Sequence, residues 1–177
     1  LHKAIRRQRQ MCIRDSIQTA IAEAHGEFHF DRYSKDWLVK MSTNCMAFAL
    51  GLETASNSEL YRVGALCGKK PIDQEYFSEY EVKELFLEDL QVLKLNVKQV
   101  TFEEIKVMEL ELNQYIVFLF VTKYGKEIGD FHFWRYDNEW GFTQKRPRQV
   151  PIIIENPKRD WPENWNTKLM GAFVITK

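Results

Sequence analysis

Asn44-Cys45-Met46-Ala47-Phe48-Ala49-Leu50-Gly51 is the stretch that best indicates how this chain folds. Thr43 or Asn44 is a suitable N-cap, the apolar residues suit a buried helix, and Gly51 is a typical C-terminal stop. The pattern predicts a short helix with Cys45 in its first turn. The positive end of a helix lowers the pKa of a thiol, and a histidine from elsewhere in the chain can complete a nucleophile. A lone cysteine in an apolar run is also commonly a packing residue, so both roles stay open.

Length and composition predict one folded domain. The chain has 177 residues, of which 45% are hydrophobic and 14% aromatic. That is enough for one hydrophobic core and short for two. No apolar run is long enough for a membrane helix, so no membrane partner is expected.

The first sixteen residues are set apart from the rest. Met11-Cys12-Ile13-Arg14-Asp15-Ser16 reads as the translation of a transposase adapter used in sequencing libraries. We therefore interpret Leu1–Ser16 as an adapter artefact or a disordered extension, and residues 17–177 as a single domain. A genuine basic helix is the alternative for this segment.

Charge and cysteine content narrow the function classes. Without the first sixteen residues the chain carries 20 basic and 24 acidic residues, a net charge of −4. A net acidic domain without a basic run is a poor candidate for nucleic-acid binding. Only Cys45 and Cys67 then remain, which build neither a disulfide framework nor a close zinc-ligand pair. A reducing compartment, the cytoplasm, is the preferred location.

The order of predicted elements is helices first and an antiparallel sheet second, which is the α+β class. Ser78 and Glu81 form a capping box at the start of the clearest helix, 79–94. Asp89 falls on the apolar side of that helix, where we expect a helix edge rather than a buried partner. The other predicted elements are a helix over 17–24 and strands over 97–100, 105–110, 115–123, 130–136, 140–144, 150–154 and 168–176.

A histidine lies in the strand Asp130-Phe131-His132-Phe133-Trp134-Arg135. Alternation along a strand puts Asp130, His132 and Trp134 on one face. A histidine among aromatic residues is commonly a core residue. Its combination with a cysteine at a helix N-terminus predicts instead that the sheet presents the imidazole to Cys45, as a thiolate–imidazolium pair that attacks a carbonyl carbon.

Several motifs together resemble those of a bacterial and phage group of papain-like proteins. They are Asn44-Cys45-Met46-Ala47-Phe48-Ala49-Leu50, Val63-Gly64-Ala65-Leu66-Cys67-Gly68-Lys69, Asp89-Leu90-Gln91-Val92-Leu93, Asp130-Phe131-His132-Phe133-Trp134-Arg135 and Leu169-Met170-Gly171-Ala172-Phe173-Val174. The resemblance implies a papain-like α+β fold and a cysteine peptidase or amidase without cofactor or metal. Cys45 would be the nucleophile and His132 the general base and acid. Asn44, or the backbone N–H of Cys45 with a second donor, would stabilise the oxyanion.

The third catalytic position departs from the group's pattern. Where relatives have a histidine after the His132 strand, this chain has Gln144 in Trp140-Gly141-Phe142-Thr143-Gln144-Lys145. An amide oxygen accepts a hydrogen bond from an imidazole N–H and fixes its tautomer, so Gln144 is the predicted orienting residue. Asp130 and Asn156 are alternatives. Trp134 and Trp140 are candidates for the cleft wall.

Three other interpretations remain open at this point. One is a catalytically inactive papain-like protein with an interaction or structural role. Another pairs Cys45 with His25 or His29, but the segment before Cys45 is too short for the β-barrel of trypsin-like cysteine peptidases. A third is zinc bound by Cys45, Cys67 and His132, although no two of them have close ligand spacing. The expected partner is a peptide or amide substrate, and the oligomeric state is open.

Overall fold

The computed structural model describes residues 15–53, 62–69, 78–124, 127–162 and 166–177. Its first helix, α1, covers residues 15–24 of the described chain. The other helices are α2 Arg32–Lys35, α3 Trp37–Ser42, α4 Cys45–Leu50, α5 Glu79–Val92, α6 Phe102–Val107 and α7 Pro157–Asp160. The strands are β1 Asn96–Val100, β2 Gln114–Tyr124, β3 Glu127–Asp137, β4 Gly141–Gln144, β5 Ile152–Ile153 and β6 Thr167–Thr176.

Local sequence signals explain where the two best-predicted helices begin and end. The Asn44 side chain accepts a hydrogen bond from the Ala47 N–H and caps α4, and Gly51 ends this helix in the left-handed conformation with φ 74°. Ser78 and Glu81 form the predicted capping box of α5. Both helix predictions are therefore confirmed.

The six strands form one antiparallel sheet in the order β1-β6-β2-β3-β4-β5. The continuous apolar strand β2 lies between β6 and β3, which explains why both of its faces are buried. The mixture of helices and an antiparallel sheet confirms the α+β class. The described chain has no helix of the length and apolar character that crossing a bilayer requires.

The sheet separates two hydrophobic clusters. On one face the helices α4 and α5 pack with Val117, Leu119 and Phe133. On the other face Phe118, Phe120 and Trp134 pack with Trp161 from the segment after α7. Strands β1, β2, β3 and β6 supply both clusters because their side chains alternate between the two faces.

Two local predictions are wrong. Residues 105–110 are not a strand, because Thr101 and Glu104 form a second capping box that begins the helix α6. Asp89 is not at a helix edge, because it is fully buried and its carboxylate accepts the backbone N–H groups of Gly64 and Cys67. A side-chain pattern alone does not reveal a partner that belongs to the backbone of a distant loop.

Candidate active site

Cys45 is the first residue of α4 and lies against the edge of β3. Its side chain is only 5% exposed, and its Sγ lies 3.9 Å from the Phe131 carbonyl oxygen, to which the thiol donates. The β3–β4 ladder covers only Trp134–Asp137 of β3. The carbonyl of Arg135 accepts from the Thr143 side chain on β4, and strand periodicity directs the Phe131 carbonyl to the same edge. The thiol thus contacts this edge of β3 beyond the end of β4.

Burial controls the acidity of Cys45. The pKa of the thiol is raised to about 12, mainly by desolvation and to a smaller extent by the negative charge of Asp130. The backbone N–H groups of Phe133, Met46 and Cys45 act in the opposite direction but do not compensate. The thiol is therefore neutral at pH 7.

His132 is held by Gln144 on the next strand. The imidazole Nε2 lies 2.6 Å from Gln144 Oε1, and the indole Nε1 of Trp134 donates to the same oxygen at 3.2 Å. Trp134 and Gln144 are cross-strand partners, so the three side chains share one face of the sheet. Gln144 therefore has the position that an orienting residue requires; its catalytic role stays a prediction.

The charge state expected for this pair needs correction. Burial lowers the pKa of His132, and the positive charge of Arg146 lowers it as well, while the Gln144 hydrogen bond and Asp130 act in the opposite direction. A lowered imidazole pKa and a raised thiol pKa both favour neutral groups. The resting site therefore favours a neutral thiol and a neutral imidazole, whereas the sequence predicts a thiolate–imidazolium pair.

The thiol and the imidazole approach β3 from different sides. Cys45 packs in the helix-side cluster, whereas His132 shares the opposite face with Trp134 and Gln144. Both residues are described, and the hydrogen bonds found for them lead to different partners, Phe131 and Gln144. The direct thiol–imidazole contact expected from the sequence is thus not among them. The link is the β3 backbone, because the sulfur contacts the carbonyl of the residue before His132.

Asp130 and Asn44 border the site, and Asn44 has the helix-capping role that the sequence predicts. Asp130 is exposed, its carboxylate accepts the Phe131 N–H at 2.8 Å, and its charge reaches both Cys45 and His132. The Asn44 Oδ1 accepts the Ala47 N–H at 2.9 Å. The side-chain oxygen of Asn44 is therefore a helix cap, and the oxyanion role of this residue stays a prediction.

Other residues that the sequence suggested for the site lie away from Cys45 and His132 or have other partners. Trp140 stacks on Phe30 with ring centroids 4.7 Å apart, next to the Asp137–Gly141 turn, at the end of the β3–β4 hairpin opposite to Gln144. Asn156 caps α7 by accepting the Arg159 N–H. The His25 ring contacts the Leu93 carbonyl oxygen at 3.0 Å, and His29 is exposed. Trp140, Asn156 and His25 thus have partners other than Cys45 and His132.

The zinc interpretation is also corrected. In the described ranges no group of three histidine, cysteine or acidic side chains is arranged to bind a metal ion. Cys67 instead directs its Sγ to the Gly64 carbonyl oxygen at 3.2 Å. The three residues that the hypothesis combined therefore do not form one metal site.

Sequence reasoning missed Lys145, which directly follows Gln144. Its side chain is 1% exposed, and its ammonium contacts the backbone carbonyls of Lys40 and Thr43. Strand alternation was the available signal, because residues next to Gln144 point toward the face that carries Cys45.

Comparisons with protein-family models, with curated proteins and with solved structures gave no match for this chain. The papain-like resemblance therefore rests on the chain's own motifs.

Proposed function

We propose that this protein is a papain-like cysteine hydrolase that cleaves an amide or isopeptide bond, with Cys45 as nucleophile and His132 as general base and acid. The observation that carries the proposal is the His132–Gln144 hydrogen bond of 2.6 Å, formed one residue away from the carbonyl that holds the Cys45 thiol. A nucleophile, a base and a group that orients the base are the elements of such a site.

The hydrogen bonds around Gln144 support a base of defined tautomer. The indole of Trp134 is only a donor, so the Gln144 atom it contacts is the carbonyl oxygen. That oxygen accepts only, so the His132 Nε2 in contact with it carries a proton. In the neutral ring this leaves Nδ1 with a lone pair. Nδ1 is then the nitrogen that receives the thiol proton.

The reaction follows from these assignments. As the Cys45 sulfur attacks the substrate carbonyl carbon, the thiol proton passes to His132 Nδ1 and the carbonyl electrons move onto the oxygen. The Cys45 N–H and the Asn44 amide nitrogen donate to that oxyanion. The C–N bond breaks, the amine leaves with the proton from His132, and a thioester remains. Water, deprotonated by His132, then hydrolyses the thioester and restores the thiol.

The pKa shifts of Cys45 and His132 determine when the thiol proton is transferred. Because the pKa of Cys45 is about 12 and that of His132 is lowered, the proton moves during attack rather than before it. Substrate must also bring the thiol and the imidazole, which approach β3 from different sides, into contact and open access to a thiol that is 5% exposed. The same two facts support the second candidate function, a catalytically inactive papain-like protein in which Cys45 is a packing residue.

A covalent trap separates the two candidates. The wild-type protein is incubated with a library of peptide vinyl sulfones, and adducts are located by mass spectrometry; hydrolysis of the matching amides is then measured. We expect an adduct on Cys45 and hydrolysis that Cys45→Ala abolishes and His132→Ala lowers by about a hundredfold or more. Cys67→Ala is the matched control and retains activity. Labelling that is equal in wild type and His132→Ala, without hydrolysis, would overturn the hydrolase in favour of the inactive protein.

A further inference from the structure

Lys145 is a buried charged residue that the proposed reaction does not use. Its Nζ lies 3.0 Å from the Lys40 carbonyl oxygen, 2.6 Å from that of Thr43 and 3.4 Å from that of Arg146. An ammonium group has three N–H donors, and here each has a carbonyl acceptor. A lysine bound in this way has no lone pair to offer, so it is not the base of a Cys–Lys dyad.

The carbonyls that Lys145 binds belong to the end of a helix. Lys40 lies in the last turn of α3, and Thr43 is its C-cap. Carbonyl groups at a helix C-terminus lack intrahelical donors, and the helix dipole favours a cation there. Asn44 and Cys45 follow Thr43 directly, so a contact on Thr43 fixes the segment that enters α4.

Gln144, the residue directly before Lys145, contacts the other member of the candidate pair, His132. Gln144 holds His132 on one face of the sheet, whereas Lys145 holds the α3–α4 junction on the other face. Two consecutive residues of one strand end thus connect to both members of the candidate pair. A shift of β4 against α3 would change the separation of the sulfur and the imidazole.

We propose that Lys145 is a positioning residue, which fixes Cys45 relative to His132 by binding the carbonyls at the end of α3. The expected effect on hydrolysis rests on the proposed function. The expected effect on the position of Cys45 does not depend on it. The charges that face Lys145 are those of Lys40, which disfavours the ammonium, and of a Cys45 thiolate, which favours it. Burial is the largest influence and lowers the pKa of Lys145 to about 8.

The test compares Lys145→Met with wild type and with Lys158→Met, an exposed lysine on α7 that serves as control. Methionine keeps length and apolar volume but removes all three donors. We expect faster iodoacetamide alkylation of Cys45, by about threefold or more, because the junction loosens and exposes the thiol, and faster amide exchange at residues 44–47. Cys45-dependent hydrolysis should fall about tenfold or more, mainly in kcat, because the nucleophile is displaced.

Opposite changes in alkylation and hydrolysis distinguish positioning from general damage to the fold, which circular dichroism monitors. If Lys145→Met does not fold, Lys145→Gln, which keeps one donor group, is tested in the same assays with intermediate effects expected. A folded variant with wild-type alkylation and exchange at residues 44–47 overturns the proposal. If wild type has no Cys45-dependent hydrolysis, the proposed function fails, whereas alkylation and exchange still decide whether Lys145 fixes Cys45.

Discussion

Gln144 accepts hydrogen bonds from two side chains with a single oxygen, and this contact defines the chemistry of His132. The Trp134 indole fixes the orientation of the amide, and the amide fixes the protonated nitrogen of the imidazole. The group is partly buried, so the loss of the acceptor would leave two donors without a protein partner. Gln144 thus supplies a hydrogen-bond acceptor at a position where the resemblance predicts a histidine.

Replacing Gln144 by leucine should disturb both His132 and stability. We expect a loss of about 1–3 kcal/mol in the free energy of unfolding, because two donors lose their acceptor. The ¹⁵N chemical shifts of the His132 ring should change from a single Nε2–H tautomer to a mixture. Gln144→Glu is the matched variant: its carboxylate should raise the pKa of His132 by about one unit or more. A wild-type tautomer pattern in Gln144→Leu would contradict this account.

The acidity of Cys45 is testable by alkylation in a background in which Cys12 and Cys67 are both replaced by serine. Because burial raises the pKa of the thiol to about 12, the rate with iodoacetamide should be low at pH 7 and should still be rising at pH 10. Cys67 is removed because its own pKa, raised to about 11, falls in the same range. A rate that levels off near pH 7 would show a thiolate at neutral pH and would contradict the neutral pair.

At the scale of elements, Asp89 connects α5 to the loop over residues 62–69. Its two carboxylate oxygens accept the N–H groups of Gly64 at 2.5 Å and Cys67 at 2.9 Å. Gly64 has φ 86°, a conformation that favours glycine, and its position faces Leu85 of α5. The aspartate on the apolar side of α5 is therefore explained by backbone donors that the helix pattern does not contain.

Asp89 should make stability depend on pH between about 4 and 6. Burial raises its pKa from 3.8 to about 6, although the backbone N–H groups of Cys67 and Gly64 act in the opposite direction. The folded state therefore binds more protons than the unfolded state in this range. Asp89 therefore contributes up to about 3 kcal/mol to the free energy of unfolding. This contribution is complete below the pKa that Asp89 has in the unfolded state, and it is lost as pH rises through about 6.

Urea unfolding at several pH values checks this expectation against Asp89→Asn. The amide keeps the size of the side chain but does not titrate. The difference in the free energy of unfolding between wild type and Asp89→Asn should therefore decrease from pH 4 to pH 7. A difference that is constant over this range would show that the carboxyl group has the same pKa in both states.

At the scale of the whole molecule, Arg135 joins the sheet to the helix layer. Its side chain is 3% exposed and lies between the rings of Phe28 and Tyr115, at 3.8 and 3.9 Å from their centroids. The guanidinium donates to Asp137 at 2.7 Å and to the Ala49 carbonyl at 3.1 Å. The latter carbonyl belongs to the last turn of α4, so Arg135 fixes the opposite end of the helix that begins with Cys45.

Arg135→Met should be one of the most destabilising single changes in the sheet. It leaves Asp137 buried without its cation, for which we expect a loss of about 3–5 kcal/mol in the free energy of unfolding. Thermal and urea unfolding measure the effect. Arg62→Met, at an exposed position, is the control and should change stability by less than about 0.5 kcal/mol. A loss below 1 kcal/mol for Arg135→Met would show that Asp137 finds another partner or water.

The sequence by itself determined the features that depend on near neighbours along the chain. The α4 cap at Asn44, the α5 capping box, the apolar run of β2 and the alternation of β3 all follow from residues a few positions apart. These local signals were sufficient for the α+β class, whereas the family resemblance supplied Gln144 as the candidate partner of His132. Helix α6 was missed because its apolar residues also suit a strand, and its capping box decides between the two.

Tertiary structure alone decided the features that depend on desolvation and on distant backbone groups. Burial makes Cys45 and His132 neutral, whereas the helix terminus considered alone favours a thiolate. The partners of Asp89, Lys145 and Arg135 include carbonyl or N–H groups of other segments. Every residue carries such backbone groups, so no residue type marks them in a sequence. Only the packing of helices on the sheet selects which of them a buried charge contacts.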